Sequence, residues 1–204
     1  MTYPLVTAAV TAFNAENSIE KALLSVIAQD WSQLEVIVID DGSVDRTPQI
    51  VEEFIRDHSA LGRSIRLIRM PTNGGVAAAR NRLVQEAQGE FLAFFDDDDI
   101  SMSDRVSRQY SRIIEAESFV GHDLILCHTA RKQIFPDGAE HYEGTMGCEG
   151  DVIPSGLSVV DRILIGRITQ GVLGSCATCS QMARVTVYRR LAGFDATLRV
   201  SEDT

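Results

Sequence analysis

The sequence has few basic residues and no long apolar run. Of its 204 residues, 19 are Lys or Arg and 29 are Asp or Glu, giving a formal net charge of −10. Binding a nucleic-acid backbone requires clustered Lys and Arg, so we expect no nucleic-acid partner. No apolar run approaches the roughly 18–20 residues of a membrane-spanning helix, and the N-terminus Met1-Thr2-Tyr3-Pro4 lacks the basic start of a secretory signal. These absences predict a cytoplasmic protein and leave peripheral membrane association open.

Cysteine is also scarce. The four cysteines, Cys127, Cys148, Cys176 and Cys179, are too few and too scattered for a disulfide framework. Cys176 and Cys179 have the spacing of a metal-binding pair, but a structural zinc site requires a second such pair, which Cys127 and Cys148 do not form. We therefore interpret all four as thiols that are buried rather than bound to metal.

The chain is long enough for one domain with a sizeable core, since 45% of its residues are hydrophobic. Its first half alternates between β-prone and helical segments. This order predicts a mainly parallel sheet with right-handed crossovers and helices on both faces. The strands are predicted at Leu5–Ala12, Leu34–Ile39, Ile65–Met70 and Glu90–Phe95.

Capping signals predict where the helices begin and end. In Asn17-Ser18-Ile19-Glu20 a cap residue, Asn17, is followed three residues later by its reciprocal Glu20 at the start of the first helix, and the Thr47 hydroxyl is expected to cap the second helix. Gly89 is expected to end the helix Val76–Ala87 in the left-handed conformation. Further along, the pattern predicts helices at Ser103–Glu117 and Gly156–Ile165, a strand at Asp123–Thr129, and a long connection or hairpin over Arg131–Pro154.

Two predicted strands run directly into acidic residues. Asp40 and Asp41 follow the second strand, and the run Asp96–Asp99 follows the fourth. Ligands bind at the carboxyl edge of an open parallel sheet, so both clusters are expected at one crevice. Four neighbouring carboxylates repel one another, and a divalent cation relieves that repulsion. Oxygen ligands alone favour Mg²⁺ or Mn²⁺ over zinc.

Each acidic cluster has an alternative interpretation. Asp96–Asp99 could be a solvated loop that caps the following helix, although Ser101 or Ser103 is available for that role. Asp40 and Asp41 could serve a turn, because Asp-Gly-Ser is also typical turn chemistry.

Several motifs together resemble the family 2 inverting glycosyltransferases of the GT-A fold. They occur in the family's order and run from the first strand to the end of the chain. The motifs are Thr11-Ala12-Phe13-Asn14, Glu35–Ser43, Asn73–Asn81, Ala87–Asp99, Ala192-Gly193-Phe194-Asp195 and Ser201-Glu202-Asp203-Thr204. Two departures stand out: Thr11 and Ala12 occupy the places of a frequent Pro-Thr pair, and Ala192 replaces a glycine.

The resemblance implies a nucleotide pocket. Phe13 would lie against the base and Thr11 would line the same pocket. Asp41 would accept a hydrogen bond from the base, commonly uracil in this family, and Arg80 would approach the nucleotide from the third helix. Asp96 would lie near the ribose.

The resemblance also implies a metal site and a general base. Asp96 and Asp98 would fill the two acidic positions of an Asp-x-Asp motif, with Asp98 or Asp99 bound to Mn²⁺ or Mg²⁺. Asp203 would be the catalytic base. The implied reaction is metal-dependent, inverting transfer of a hexose from a nucleoside diphosphate sugar, UDP-linked in expectation, to a hydroxyl of a saccharide, lipid-linked or protein acceptor.

The implied domain has a nucleotide-binding half, residues 1–100, and an acceptor half, residues 101–204, and relatives would continue beyond Thr204. Two alternatives remain. A sugar-phosphate nucleotidyltransferase would need a loop rich in glycine and lysine after the first strand, and Thr11–Ser18 has neither residue. A nucleotide-binding or receiver-like module would be shorter, leaving the chain after about residue 130 unexplained.

Overall fold

A computed structural model describes residues 3–147, 153–168, 174 and 176–197. Within these residues, the strands of the main sheet lie in the order β3–β2–β1–β4–β8–β5. Their bounds are β1 Val6–Ala12, β2 Leu34–Asp40, β3 Ser64–Arg69, β4 Phe91–Asp96, β5 Leu126–Cys127 and β8 Met182–Arg184. A separate hairpin consists of β6 (Arg131–Ile134) and β7 (Glu140–Glu143).

The predicted parallel arrangement is confirmed. Strand β1 runs parallel to both β2 and β4, and β2 runs parallel to β3. Strand β8 is antiparallel to β4 and to β5, so the sheet is mixed at one side. The sequence did not predict β8, because three residues are too few to show a periodic pattern.

Helices cover both faces of the sheet, as predicted. Ile19, Val51 and Ile113 belong to one buried cluster, and Leu83 and Tyr188 belong to another. The helix bounds are α1 Ile19–Ile27, α2 Thr47–Asp57, α3 Val76–Glu86, α4 Arg105–Val120, α5 Leu157–Ile165 and α6 Val185–Arg190. The first cluster joins α1, α2 and α4 to the sheet, and the second joins α3 and α6.

The predicted role of Gly89 is wrong. Gly89 does not have a positive φ, and α3 ends through Ala87 in an extended conformation. A Cβ on Gly89 would lie 2.7 Å from the backbone nitrogen of Thr7. Glycine is therefore required by the close approach of two backbone segments rather than by a left-handed turn.

The predicted helix caps are also not observed. Ser18, rather than the predicted Asn17, is the N-cap of α1. Neither Ser18 nor Arg46, the N-cap of α2, makes a side-chain cap hydrogen bond. Thr47 is the first residue of α2, and its hydroxyl accepts a hydrogen bond from the backbone nitrogen of Ala15 at 2.7 Å. The hydroxyl thus connects two loops at the carboxyl edge of the sheet instead of capping its own helix.

Strand β5, in the second half of the chain, is shorter than predicted. Strand β5 has two residues, because only Leu126 and Cys127 pair with β8. The segment after it forms the hairpin that was one of the two expected outcomes. Among the described helices, none combines the length and the apolar character needed to cross a membrane.

Candidate functional site

Strand register brings the predicted site residues to one edge of the sheet. Thr11 in β1 lies opposite Asp96 in β4, and Ala12 lies opposite Asp40 in β2. The hydroxyl of Thr11 is 3.5 Å from Oδ1 of Asp96. The acidic ends of β2 and β4 therefore flank β1, as expected for the carboxyl edge of a parallel sheet.

A cavity of about 290 Å³ opens at this edge. Five of the predicted residues line it: Thr11, Phe13, Asp41, Asp96 and Asp98. The other lining residues belong to the motifs quoted above but were given no individual role. They come from the β1 and β4 ends, from the loop before α3 and from α3 itself: Ala12, Asn73, Gly75, Val76, Ala79 and Asp97.

Phe13 is held at the cavity by its backbone. Its nitrogen donates a hydrogen bond to Oδ2 of Asp97 at 2.9 Å, and its side chain is 45% exposed. Burial is the main cause that raises the pKa of Asp97 to about 6, and the charges of Asp98 and Asp96 add to it. Asp97 therefore positions the aromatic residue, a role that an Asp-x-Asp pattern does not reveal.

Reciprocal hydrogen bonds lock the loop after β1 to the loop after β2. The nitrogen of Asn14 donates to Oγ of Ser43 at 2.9 Å, and the nitrogen of Val44 donates to Oδ1 of Asn14 at 3.0 Å. The nitrogen of Glu16 donates to Asp45 at 3.1 Å. Asn14 has a φ of 51°, in the left-handed region that asparagine tolerates. This lock fixes the backbone directly after Phe13.

Asp41 organises the loop before α3. Its Oδ1 accepts from the nitrogen of Gly74 and its Oδ2 from the nitrogen of Gly75, each at 2.8 Å. Burial raises the pKa of Asp41, and the two N–H donors partly offset that effect. Each carboxylate oxygen retains a second lone pair. Asp41 can thus hold the loop and still accept a hydrogen bond from a ligand.

Arg80 projects from α3 toward the acids of β4. The residue is 5% exposed, and its Nη2 lies 3.7 Å from Oδ1 of Asp96. Burial is the largest cause of the raised pKa of Asp96; Arg80 opposes it, while Asp99 and Asp98 raise the pKa further. Arg80 therefore reaches the site through Asp96 and is not part of the cavity lining.

Three side chains converge as a set of possible metal ligands. One carboxylate oxygen each from Asp96 and Asp99 and the sulfur of Cys179 all lie within 4.8 Å of one another. Burial raises the pKa of the Cys179 thiol to about 12, together with the charges of Asp96 and Asp99. Asp98 lines the cavity instead. The donor set fits a divalent cation, but it includes a sulfur that the sequence analysis assigned to the interior.

The segment around Phe194 is fastened to α3. Asn81 accepts from the nitrogen of Phe194 and donates to its carbonyl oxygen, each at 2.8 Å. The guanidinium carbon of Arg80 is 5.7 Å from the centre of the Phe194 ring. Two motifs that are 113 residues apart in sequence therefore meet behind the site.

The predicted base, Asp203, lies outside the described residues. The alternative role of Asp96–Asp99 as a helix cap is not observed. Asp104 occupies the N-cap of α4 without a side-chain cap hydrogen bond. Ser101 does not cap the helix either, and its hydroxyl accepts from Nη1 of Arg105 at 3.1 Å.

Comparison with known proteins agrees with this geometry. Residues 7–190 match the model of the family described as Glycosyl transferase family 2. The match covers most of the chain, and the chain belongs to this family.

Individual relatives are glycosyltransferases of greater length. An uncharacterized glycosyltransferase of Haemophilus influenzae is 32% identical over 135 residues, which cover 66% of this chain and 52% of the relative. The Escherichia coli protein WfgD, a UDP-Glc:alpha-D-GlcNAc-diphosphoundecaprenol beta-1,3-glucosyltransferase, is 33% identical over 111 residues, 54% of this chain and 42% of the relative. The matched region thus spans about half the length of these relatives.

Solved structures show the same fold. Staphylococcus aureus TarS, crystallised in complex with UDP, superposes with a TM-score of 0.65 at 22% identity, covering 98% of this chain and 52% of TarS. The mixed sheet described above is therefore the GT-A arrangement.

Proposed function

We propose that this chain is the catalytic domain of an inverting, metal-dependent glycosyltransferase that moves a hexose from a UDP-sugar to an acceptor hydroxyl. One observation carries the proposal. A single cavity has an aromatic residue and a buried carboxylate, Phe13 and Asp41, among its lining residues, together with acids from the end of β4. A nucleoside diphosphate needs both features: a surface for its base and a site for a cation at its diphosphate.

The base would bind among Phe13, Thr11 and Asp41. The half-exposed ring of Phe13 offers a stacking surface. The Asp41 carboxylate is fixed by two backbone donors and can accept one more hydrogen bond. The imino N–H of uracil is such a donor, and cytosine lacks it. This chemistry favours UDP over CDP.

The diphosphate would lie toward the acids of β4. Asp96 and Asp98 line that side of the cavity, and Asp99 stands beside Asp96. These carboxylates would hold Mn²⁺ or Mg²⁺, which supplies positive charge to neutralise the leaving diphosphate. Arg80 keeps Asp96 in place through their contact of 3.7 Å.

Asp203 would act as general base on the acceptor. It would remove the proton of the attacking hydroxyl, whose oxygen approaches the anomeric carbon from the face opposite the diphosphate. Attack from that face inverts the configuration. We assign the acceptor to saccharide or lipid-linked saccharide chemistry, because WfgD bears a diphosphoundecaprenol acceptor in its name. With such an acceptor the protein would act at a membrane surface, in keeping with the expected cytoplasmic and peripheral location.

A thermal-shift panel with a product assay tests the proposal. UDP, UDP-glucose, UDP-N-acetylglucosamine, CDP and GDP-mannose are each compared with and without Mn²⁺, and the product's anomeric configuration is read by NMR. The expected result is Mn²⁺-dependent stabilisation by UDP compounds and an inverted glycoside. Stabilisation by phosphate-containing ligands irrespective of base and cation, without transfer, would instead favour a simple nucleotide-binding module.

A further inference from the structure

The thiol of Cys179 lies beside the acids that follow β4. Cys179 belongs to a short 3₁₀ turn, Thr178–Ser180, directly before β8. Since β8 is antiparallel to β4, its beginning lies at the carboxyl edge of β4, where Asp96 is found. The Cys179 sulfur and carboxylate oxygens of Asp96 and Asp99 lie within 4.8 Å of one another as a result.

Buried contacts hold this turn in place. Nε2 of Gln109, a residue 2% exposed, donates to the carbonyl oxygen of Ser180 at 2.9 Å. The nitrogen of Phe94 donates to the carbonyl oxygen of Gln181 at 2.9 Å, which extends the β4–β8 pairing toward Cys179. Thr178 is buried. These contacts fix the position of the Cys179 sulfur relative to the sheet, as a mobile surface loop would not.

The spacing of the three ligand atoms suits one cation. Three ligands spread evenly around one cation lie about 3.5–3.9 Å apart, given bonds of about 2.0–2.2 Å to oxygen and about 2.3 Å to sulfur. The three atoms all lie within 4.8 Å of one another, so movements of about half an ångström or less per side chain would bring them around one cation. The three atoms come from two strands of fixed register.

We propose that Cys179 supplies a sulfur ligand to the divalent cation that Asp96 and Asp99 hold. The site would then prefer cations that bind sulfur, such as Co²⁺ and Cd²⁺, and would prefer Mn²⁺ to Mg²⁺. This inference rests on the proposed function, which is the reason to expect a cation here. It adds Cys179 to the carboxylates as a ligand of that cation. On binding, the S–H bond breaks, its proton passes to the solvent, and a metal–sulfur bond forms.

The test titrates the full chain with Co²⁺ alone and records the near-ultraviolet sulfur-to-cobalt charge-transfer absorption. The parent is expected to show this band and Cys179→Ser to lose it. Cys127→Ser is the matched control, since Cys127 is also half-buried but lies in β5; it should keep the band. An undiminished band in Cys179→Ser, or no band in the parent, would overturn the proposal.

A second measurement avoids dependence on the variant's folding. The parent is alkylated with iodoacetamide with and without Cd²⁺, and the modification of each cysteine is followed by peptide mass spectrometry. Cd²⁺ should slow the modification of Cys179 and leave that of Cys127 unchanged. Equal rates at Cys179 with and without Cd²⁺ would contradict a sulfur ligand. Because both experiments omit nucleotide, a failure of UDP to bind would count against the proposed function alone.

Discussion

Nη2 of Arg80 lies 3.7 Å from Oδ1 of Asp96, a residue that lines the cavity. The pair joins α3 to the end of β4. Without Arg80, Asp96 would lose the positive charge that opposes the effects of burial and of the like charges of Asp99 and Asp98 on its pKa. Arg80 therefore lets a cluster of carboxylates persist at this edge before any cation binds.

The first prediction concerns cation-dependent binding. Mn²⁺ together with UDP should stabilise the fold by about 2.7 kcal/mol at ligand concentrations one hundredfold above the dissociation constant. Asp98→Asn should largely abolish this gain, because it removes a carboxylate that lines the cavity. Thermal unfolding measures the effect. Glu53→Gln, which removes an equal charge from the exposed face of α2, should behave like the parent. Equal gains in Asp98→Asn and the parent would exclude Asp98 as a ligand.

The second prediction concerns base selectivity. UDP should bind more tightly than CDP. Asp41→Ala should reduce the ratio of the CDP and UDP dissociation constants, because the acceptor for the imino hydrogen of uracil is lost. The variant also loses the hydrogen bonds to Gly74 and Gly75. Calorimetry should therefore compare the ratio of the CDP and UDP dissociation constants in the parent and in the variant. A general loosening of the loop would weaken the binding of both nucleotides and leave this ratio unchanged. Tighter binding of GDP than of UDP would rule out the uracil assignment.

The third prediction concerns pH. Slight desolvation would raise the pKa of Asp45, but hydrogen bonds from Thr47 and from the backbone nitrogen of Glu16 outweigh it and lower the pKa below 3.8. An acid with a lowered folded-state pKa contributes stability above its ordinary pKa, and this contribution is lost as the pH falls through the folded value. Asp45→Asn should thus be less stable than the parent by about 1 kcal/mol at pH 7, and this difference should shrink as the pH falls below 3.8.

Urea unfolding between pH 2 and 7 measures this difference. Glu53→Gln is again the control, because Glu53 is exposed on α2. A stability difference for Asp45→Asn that is independent of pH would show that the ionised carboxylate is not the group that stabilises the two loops.

The fourth prediction concerns Ala192, whose φ is 61°. A left-handed conformation costs a residue with a Cβ about 1–2 kcal/mol, and a glycine at this position would not pay that cost. Glycine loses more chain entropy on folding, however, which takes back about 0.5–1 kcal/mol of this gain. Ala192→Gly should therefore raise the free energy of unfolding by about 0.5–1 kcal/mol. Ala196, which has no positive φ, is the control, and Ala196→Gly should lower stability. Destabilisation by Ala192→Gly would show that packing of the Ala192 methyl group contributes more to stability than the strained backbone costs.

The fifth prediction concerns the proposed base. Asp203→Asn should lower the rate of sugar transfer by about 10²–10⁴ while nucleotide affinity is unchanged, because a general base acts in the transition state. Asp195→Asn is the comparison: the Asp195 carboxylate accepts from the hydroxyl of Thr197 at 2.6 Å and lies in the neighbouring motif. Full activity in Asp203→Asn with a loss in Asp195→Asn would transfer the role to Asp195.

The sequence by itself determined the parallel half of the sheet and the edge where the site lies. Continuous apolar runs such as Phe91–Phe95 are typical of strands buried on both faces, and the acids after them mark the carboxyl edge. Local patterns are sufficient there, because each strand and helix is long enough to show its period. Asp41, Asp96 and Asp98 were placed at this edge on that basis, and the resemblance to the glycosyltransferases added Thr11 and Phe13. All five residues line one cavity.

Only the tertiary structure decided which neighbours these residues acquire. Strand β8 has three residues, and its place depends on pairing with β4 rather than on its own pattern. That pairing brings Cys179 to Asp96 and Asp99, although more than 75 residues separate them in sequence. Gly89 shows the same limit: its sequence position suggests a helix end, whereas the contact with Thr7 determines its role. Contacts between distant segments leave no local pattern, because they arise from sheet register and packing.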